Sequence, residues 1–450
     1  MGFLAFRYAG PSYMPNQPTM NRPSSALSRR PVFIYLTNLV GGAEYMFLRR
    51  AESARRLGQD PVIITVPGPM DEAYRRTAKV IHLDPQVFGR FAFTHEMAEE
   101  LADELAAMLG KSPCHIETTG MPGYYFGDLV ARRIPGSECL LHAIAPRMVP
   151  LRRPPGWADL WRSPSRCWQG LRGRLPYREV EALAASGRFL SVNQECADTS
   201  ARQLGLASLP AVLTPLSVGT TEAVSSADCQ EKFVLSVCRL DGRMKAYVEG
   251  LIRMWPAVLR EHPSLRLKIV GDGPAKESYV ALAAASGVAP SVDFLGTIDN
   301  AVLTGLYASA EAFVGMGTAA IEASMCGAVA IIAVENESAC LTPGCFGDPE
   351  VKGFGEHVPG QSYVPAQDLL LGLLADGARR AAVAERGRQH SLRTHHPDAC
   401  DQRMAELLTK TYGAPVALPA PMIRPRQVLA NLLSGRLSRR PLAAWSGKLK

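Results

Sequence analysis

Cysteine occurs ten times in 450 residues but never as a C-x-x-C pair. That points to reduced core thiols rather than a disulfide framework or a zinc site. No two aspartates are separated by a single residue, so the D-x-D element that presents a divalent ion is missing. Long apolar runs are missing too. A membrane span needs about 18–20 uncharged apolar residues. The nearest approach, 312–334, is broken by Gly315, Gly317, Gly327 and a central Glu322, and it reads as buried α/β core. The amino terminus lacks the sustained apolar stretch of a secretory signal, so the expected compartment is the cytoplasm.

What is present fits a soluble globular chain: 47% hydrophobic and 20% charged residues. The net charge of +7 is unevenly spread. Residues 1–30 hold four Arg and no acid, and residues 420–450 hold five Arg, two Lys and no acid, which leaves the body net negative. A nucleic-acid-binding core is therefore not expected.

From residue 31 short apolar runs alternate with helical periodicity. Strands are expected at Val32–Leu36, Pro61–Val66, Lys79–Leu83, Cys114–Thr118, Glu138–Ala145, Phe189–Val192 and Ala211–Leu213, with helices at 43–57, 95–110 and 178–185. A second series begins at Phe233, with strands near 233–238, 266–270, 292–295, 312–314 and 328–333 and helices between them. Such alternation implies right-handed crossovers and parallel sheets. The predicted organisation is a disordered leader (1–30), an N-terminal Rossmann-like domain (31–217), a linker (218–232), a C-terminal Rossmann-like domain (233–397), a closing helix (398–413) and a basic, Pro-rich tail (414–450). The fold class is α/β, two Rossmann-like domains facing across a cleft at the carboxyl ends of their strands, where open sheets bind ligands.

Four segments carry chemistry. In Phe313–Gly327 a strand ends in Gly315 and Gly317, Thr318 is placed to cap the next helix, and Gly327 ends it. Small residues at a helix start let backbone N–H groups approach an anion. Glu322, the lone charge between Glu311 and Glu335, must find donors in the protein or in a ligand such as a ribose diol. After the strand at 233–238, Arg239, Arg243 and Lys245 set cations where a diphosphate leaving group would be neutralised; a solvated basic loop is the competing reading. Gly271 and Gly273 form a turn without the G-x-G-x-x-G or G-x-x-x-x-G-K spacing, so it supports neither dinucleotide nor P-loop binding. Gly41 and Gly42 form a further turn after the first strand. A metal at His390, His395 and His396 is not expected; a solvated loop is.

Taken together these segments resemble a GT-B-fold glycosyltransferase of the large retaining family 4 type. The matching elements are Gly41-Gly42-Ala43-Glu44, Arg239-Leu240 with Lys245, Ile269 to Pro274, Phe294-Leu295-Gly296 and Glu322 to Gly327, in family order between about residues 31 and 410. The resemblance implies that Arg239 and Lys245 hold the donor diphosphate, with Gly271, Gly315, Gly317 and Thr318 in the donor-binding turns. It further implies that Glu322 binds the donor ribose, that Gly41 and Gly42 line the cleft opposite the phosphates, and that His142 lies near the donor sugar. Two elements depart from the family. The first carboxylate of its E-x7-E pair falls on Val314, and the spacing from Arg239 to Lys245 is one residue longer than its commonest form.

The expected activity is transfer of a sugar from a nucleotide-sugar donor to a hydroxyl acceptor, with no cofactor and no metal. The setting implied is bacterial surface polysaccharide or glycolipid synthesis, with a sugar or lipid-linked acceptor. Two alternatives stay open: a non-catalytic nucleotide-sugar-binding scaffold, motivated by Val314, and a sugar-nucleotide epimerase of the same fold. Between Arg147 and Arg178 lie eight Arg, five Pro and three Trp (Trp157, Trp161, Trp168). That composition, like the tail with Leu429, Leu432, Leu433 and Leu437 among its cations, suits an anionic membrane surface. An Arg-rich loop whose indoles pack on the first domain is the other reading.

Overall fold

The computed structural model describes residues 29–39, 41–83, 95–145, 177–219 and 231–413. Most of the leader, most of the Arg- and Trp-rich segment, the greater part of the linker and the tail lie outside the described residues. The chain divides into two compact units. One is drawn from Met1–Val192, Cys196–Thr214 and Asp401–Lys450, the other from Asn193–Glu195 and Pro215–Cys400.

The first unit is built on strands β1 (Arg30–Ile34), β2 (Val62–Thr65), β3 (Lys79–His82), β4 (Cys114–Thr118), β5 (Glu138–Ala143), β6 (Phe189–Ser191) and β7 (Val212–Leu213). They form one parallel sheet in the order β3-β2-β1-β4-β5-β6-β7. Val32, Phe33 and Ile34 are fully buried, as expected of strands covered on both faces. Helix α1 (Gly42–Arg56) follows β1.

Three helices of this unit, α2 (Asp71–Thr77), α4 (Gly120–Arg133) and α6 (Gln194–Leu204), are not among those expected from the sequence, which are α1, α3 (His95–Leu109) and α5 (Tyr177–Ala185). Gly120–Arg133 shows why. It contains Gly123 and Gly127, poor helix formers, yet a Cβ at Gly127 would stand 2.7 Å from Thr118 Cγ2 and 2.9 Å from Cys139 Sγ. Close approach of helix to sheet overrides propensity there.

The second unit repeats the plan with β8 (Phe233–Val237), β9 (Arg266–Val270), β10 (Val292–Gly296), β11 (Ala312–Gly315) and β12 (Ala330–Ile332), all parallel, in the order β10-β9-β8-β11-β12, and with helices α7 (Tyr247–Glu261), α8 (Lys276–Ala285) and α9 (Asn300–Ser309) after β8, β9 and β10. Its core centres on Trp255, Tyr247, Leu251, Leu267, Ile269 and Ile331. In both sheets the chain reverses direction beside the first strand: between β1 and β4, and between β8 and β11. Those are the switch points at which open α/β sheets take ligands.

Two boundaries differ from expectation. The linker was expected from 218, but Val218 is fully buried in the second unit's core and donates its N–H to His395 O at 3.1 Å. The closing helix, Pro397–Thr409, joins the first unit from Asp401 onward. Leu407 packs with Leu140 and Leu190, and Arg56 makes a bidentate pair with Asp401 at 2.6 and 2.7 Å. Among the described residues no helix is long and apolar enough to cross a membrane.

Candidate functional site

At the carboxyl end of β8 the chain leaves the sheet through Cys238, Arg239 and Leu240. Asp241 shapes the loop that follows. Its Oδ1 accepts from the backbone N–H groups of Arg243 and Lys245, both at 3.1 Å, a side-chain-closed turn of the kind aspartate favours. Its Oδ2 stands 3.6 Å from the Arg239 guanidinium, whose side chain remains 60% exposed. An ion pair that open is worth little to stability, so Arg239 is not there to hold the fold. Asp241 escaped the sequence reading; the Asp241-Gly242 step, a turn signal, was the available clue.

The Gly271 turn lies against this segment. A Cβ at Gly271 would collide with the Cys238 carbonyl and one at Gly273 with the Leu240 carbonyl. Leu240 N donates to Asp272 O and Ala275 N to Leu240 O, each at 3.0 Å. The observed work of Gly271, expected among donor-binding residues, is thus to let two strand ends meet.

On the other side of the switch point β11 ends at Gly315. The β8–β11 register pairs Phe313 with Leu235, and the same register carried two residues on sets Gly315 beside Val237. Gly315 accepts from Ala333 N at 2.8 Å, and its missing side chain leaves room for the Phe313 ring. Gly317, at φ 69°, turns the chain into helix α10 (Thr318–Met325). Thr318 is therefore not the cap that was expected. Gly317 occupies the cap position without a side-chain bond, because the turn needs a left-handed residue there, and Thr318 is the first helical residue. At the far end Gly327, at φ 94°, closes the helix with Gly327 N to Ser324 O and Ala328 N to Ala323 O, both at 3.0 Å, a Schellman arrangement. Glu322, half-buried one turn into α10, has the Tyr307 hydroxyl at 3.5 Å from Oε2.

Val314, in the family's carboxylate position, is fully buried within β11. Three backbone bonds tie the neighbouring loops to this end of the sheet: Asn336 N to Met244 O (3.1 Å), Glu335 N to Gly355 O (2.8 Å) and Gly317 N to Phe354 O (2.6 Å). The cation-bearing loop, the turn into α10 and two later loops thus form one assembly. Concavities lined by Arg30, Pro61 and Lys79, and by Glu311, Val329 and Arg380, sit at the opposite, amino ends of the strands.

Residue placement in the first unit runs differently. Gly41 caps α1 and Gly42 begins it. Glu44 folds back on their turn, accepting from Thr37 Oγ1 at 3.1 Å and Leu39 N at 3.2 Å. His142 was expected near a donor sugar. It is fully buried on β5, with Nε2 at 2.7 Å from Thr214 Oγ1 and Nδ1 at 3.5 Å from Glu117. That seals it from any ligand and makes it a member of a core network. Glu117 is also bridged by both Arg50 nitrogens and by His115 Nε2 at 3.0 Å. Burial would raise the Glu117 carboxyl, but Arg50 and the two histidines more than offset it and hold it well below the carboxylate range. Burial pushes His142 down, against the opposing pull of Glu117.

His390 and His395 are not on a solvated loop but on the helix Gly377–His395. Burial pushes His395 down to about 4, although its Nδ1 bonds to Leu216 O at 2.8 Å. No cluster of metal-ligating side chains occurs among the described residues.

Residues 220–344 match the family described as Glycosyl transferases group 1. The match spans β8 to β13 (Leu341–Thr342), and so takes in Arg239, Lys245, Gly271 and the turn into α10. Over 155 residues the chain is 30% identical to the GDP-mannose-dependent monoacylated alpha-(1-6)-phosphatidylinositol monomannoside mannosyltransferase of Corynebacterium glutamicum. That stretch is 32% of this chain and 38% of the relative, so the chain matches well under half the relative's length. Two solved structures are similar over nearly their whole length. A glycosyltransferase from Rickettsia africae gives a TM-score of 0.60 at 12% identity, covering 85% of this chain and 99% of that one. HepE of Anabaena, solved in complex with UDP, gives 0.55 at 16%, covering 84% and 99%. The fold shared with these structures is GT-B.

Proposed function

We propose that the protein transfers a sugar from a nucleotide-diphosphate donor to a hydroxyl acceptor. The observation that carries this is the second unit's switch point: exposed Arg239 and the Lys245 loop at the end of β8, beside the Gly317 turn and helix α10, all inside the group 1 match. Cations and helix-terminal amides there favour the charge that grows on a departing diphosphate more than they favour the intact donor. Glu322 is suited to accept the ribose hydroxyls. The acceptor hydroxyl then attacks from the face the diphosphate leaves, giving retention. Without D-x-D, leaving-group stabilisation falls to cations of the chain, and transfer is metal-independent.

A lipid-linked acceptor in envelope polysaccharide or glycolipid assembly is supported by the named substrate of the Corynebacterium relative. The basic, Trp-containing segment and the tail fit work at an anionic membrane face on the cytoplasmic side. Val314 favours one competing reading, tight donor binding without turnover.

Thermal shift with UDP, GDP and ADP and their glucose and mannose derivatives should find one base that stabilises. Ligand at 100 times its Kd adds about 2.7 kcal/mol. Transfer from that donor should then persist in EDTA. Binding without either transfer or hydrolysis would install the scaffold reading, and EDTA loss restored by Mg²⁺ would overturn metal independence.

A further inference from the structure

Val314 leaves the donor site short of one carboxylate, and the structure offers another on a different element. The loop Gly353–Glu356 is built around the Glu356 side chain. Phe354 N donates to Glu356 Oε2 at 2.6 Å. Gly353 sits at φ 75°, and a Cβ there would stand 2.6 Å from the same oxygen. Gly355, at φ 123°, is pressed onto the end of β11, where a Cβ would stand 2.5 Å from Met316 Cβ and 2.7 Å from Ala333 O. The same loop accepts from Gly317 N through Phe354 O and from Glu335 N through Gly355 O. Two glycines in left-handed or nearly inverted backbone and two loop-to-sheet bonds are thus spent on holding one acidic residue beside the Gly315–Thr318 turn.

We infer that Glu356 supplies the carboxylate that receives the donor sugar's hydroxyls, in place of the one absent at Val314. A carboxylate has about four acceptor positions. The amides of Phe354 and of Glu356 itself take up two, so capacity remains for two hydroxyls. Burial raises the Glu356 carboxyl, against the opposing pull of the Phe354 and Glu356 amides; Glu335 adds to the rise and Lys245 opposes it. The backbone links the two loops: Asn336 N donates to Met244 O and Glu335 N to Gly355 O. Lys245, assigned to the diphosphate, and Glu356, assigned to the sugar, thus belong to one assembly, as the two halves of a sugar diphosphate require.

This rests on the donor-site reading above, and the test separates the two. Affinities of wild type, Glu356→Gln and Glu356→Asp are measured by calorimetry for the nucleoside diphosphate and for the nucleotide sugar of the base found by thermal shift. Wild type binding neither kind of ligand sinks the donor-site reading and this inference with it. With that reading intact, Glu356→Gln should lose tenfold or more in affinity for the nucleotide sugar, about what a hydrogen bond to a charged group is worth. Its affinity for the diphosphate should stay within about twofold. Glu356→Asp, which keeps the charge and shortens the reach, should lose less, again only on the sugar. Equal losses on both ligands in both variants would make Glu356 a mere scaffold of its loop and overturn the inference. So would wild-type affinity for the nucleotide sugar in Glu356→Gln.

Discussion

The two units answer the same architectural question in opposite ways. Each is a parallel sheet with a switch point beside its first strand. In the first unit charge near that point is turned inward: Glu117 pairs with Arg50 in the core beside His115 and His142, and Glu44 closes the Gly41 turn. In the second unit Arg239 stands 60% exposed at the strand end, with Asp241 at 3.6 Å. Buried pairs are costly to break but offer nothing to a ligand. Exposed cations contribute little to stability and remain available to an anion. The contrast predicts that charge substitutions in the first unit are read as stability and in the second as turnover.

The largest effect should come from Arg50→Ala, which strands the buried Glu117 charge at about 3–5 kcal/mol. Hydrogen exchange should show protection lost in β4 and β5 and kept in β8 to β12. Equal loss in both sheets would break the contrast. Arg239→Ala should cut turnover about 10²–10³-fold, the scale for removing one preorganised group that stabilises transition-state charge, with an unchanged melting point. A variant of near-normal turnover would remove Arg239 from the mechanism.

His395 tests whether the second unit is wholly without buried titration. Its folded value near 4 lies below the ordinary 6.5, so between those values the unfolded chain binds the extra proton. Stability should be complete above pH 6.5 and fall as pH drops toward 4, by up to about 3 kcal/mol. His395→Gln should flatten that dependence in melts of the second unit; an unchanged slope would place the titration elsewhere. The smallest effect is expected for Glu322→Gln, at about 1.5–3 kcal/mol of donor affinity. The donor-induced rise in melting point should shrink by more than the melting point without ligand falls. A large loss without ligand would make Glu322 a core partner.

Both sheets were legible because their strands are short apolar runs buried on two faces, a pattern visible without tertiary knowledge. The positions of Arg239, Gly317 and Glu322 were legible for a related reason: they lie at strand ends and helix starts that the same pattern fixes. Helix Gly120–Arg133 was hidden because its glycines serve packing rather than propensity. His142 misled because a strand-end histidine looks alike whether its neighbours across the sheet are solvent or Glu117, and those neighbours come from residues 50, 117 and 214. Asp241 and Glu356 were missed because each acts through the backbone of its own loop, which leaves only a glycine beside an acid as a trace.

The return of the chain to the first unit sets an order of events during synthesis. Pro215–Cys400 is essentially complete when the ribosome reaches residue 400, and the second sheet then has all five strands and their helices. The first unit, begun at residue 30, still lacks the helix that brings Met404, Leu407 and Leu408, all of them buried. Until that helix arrives, Leu140 and Leu190 lose a covering partner and Arg56 lacks Asp401. The part made first is therefore finished last. From the start of the second unit until the closing helix is made, the growing chain carries a first unit with an open apolar flank, the state in which nascent proteins are prone to aggregate.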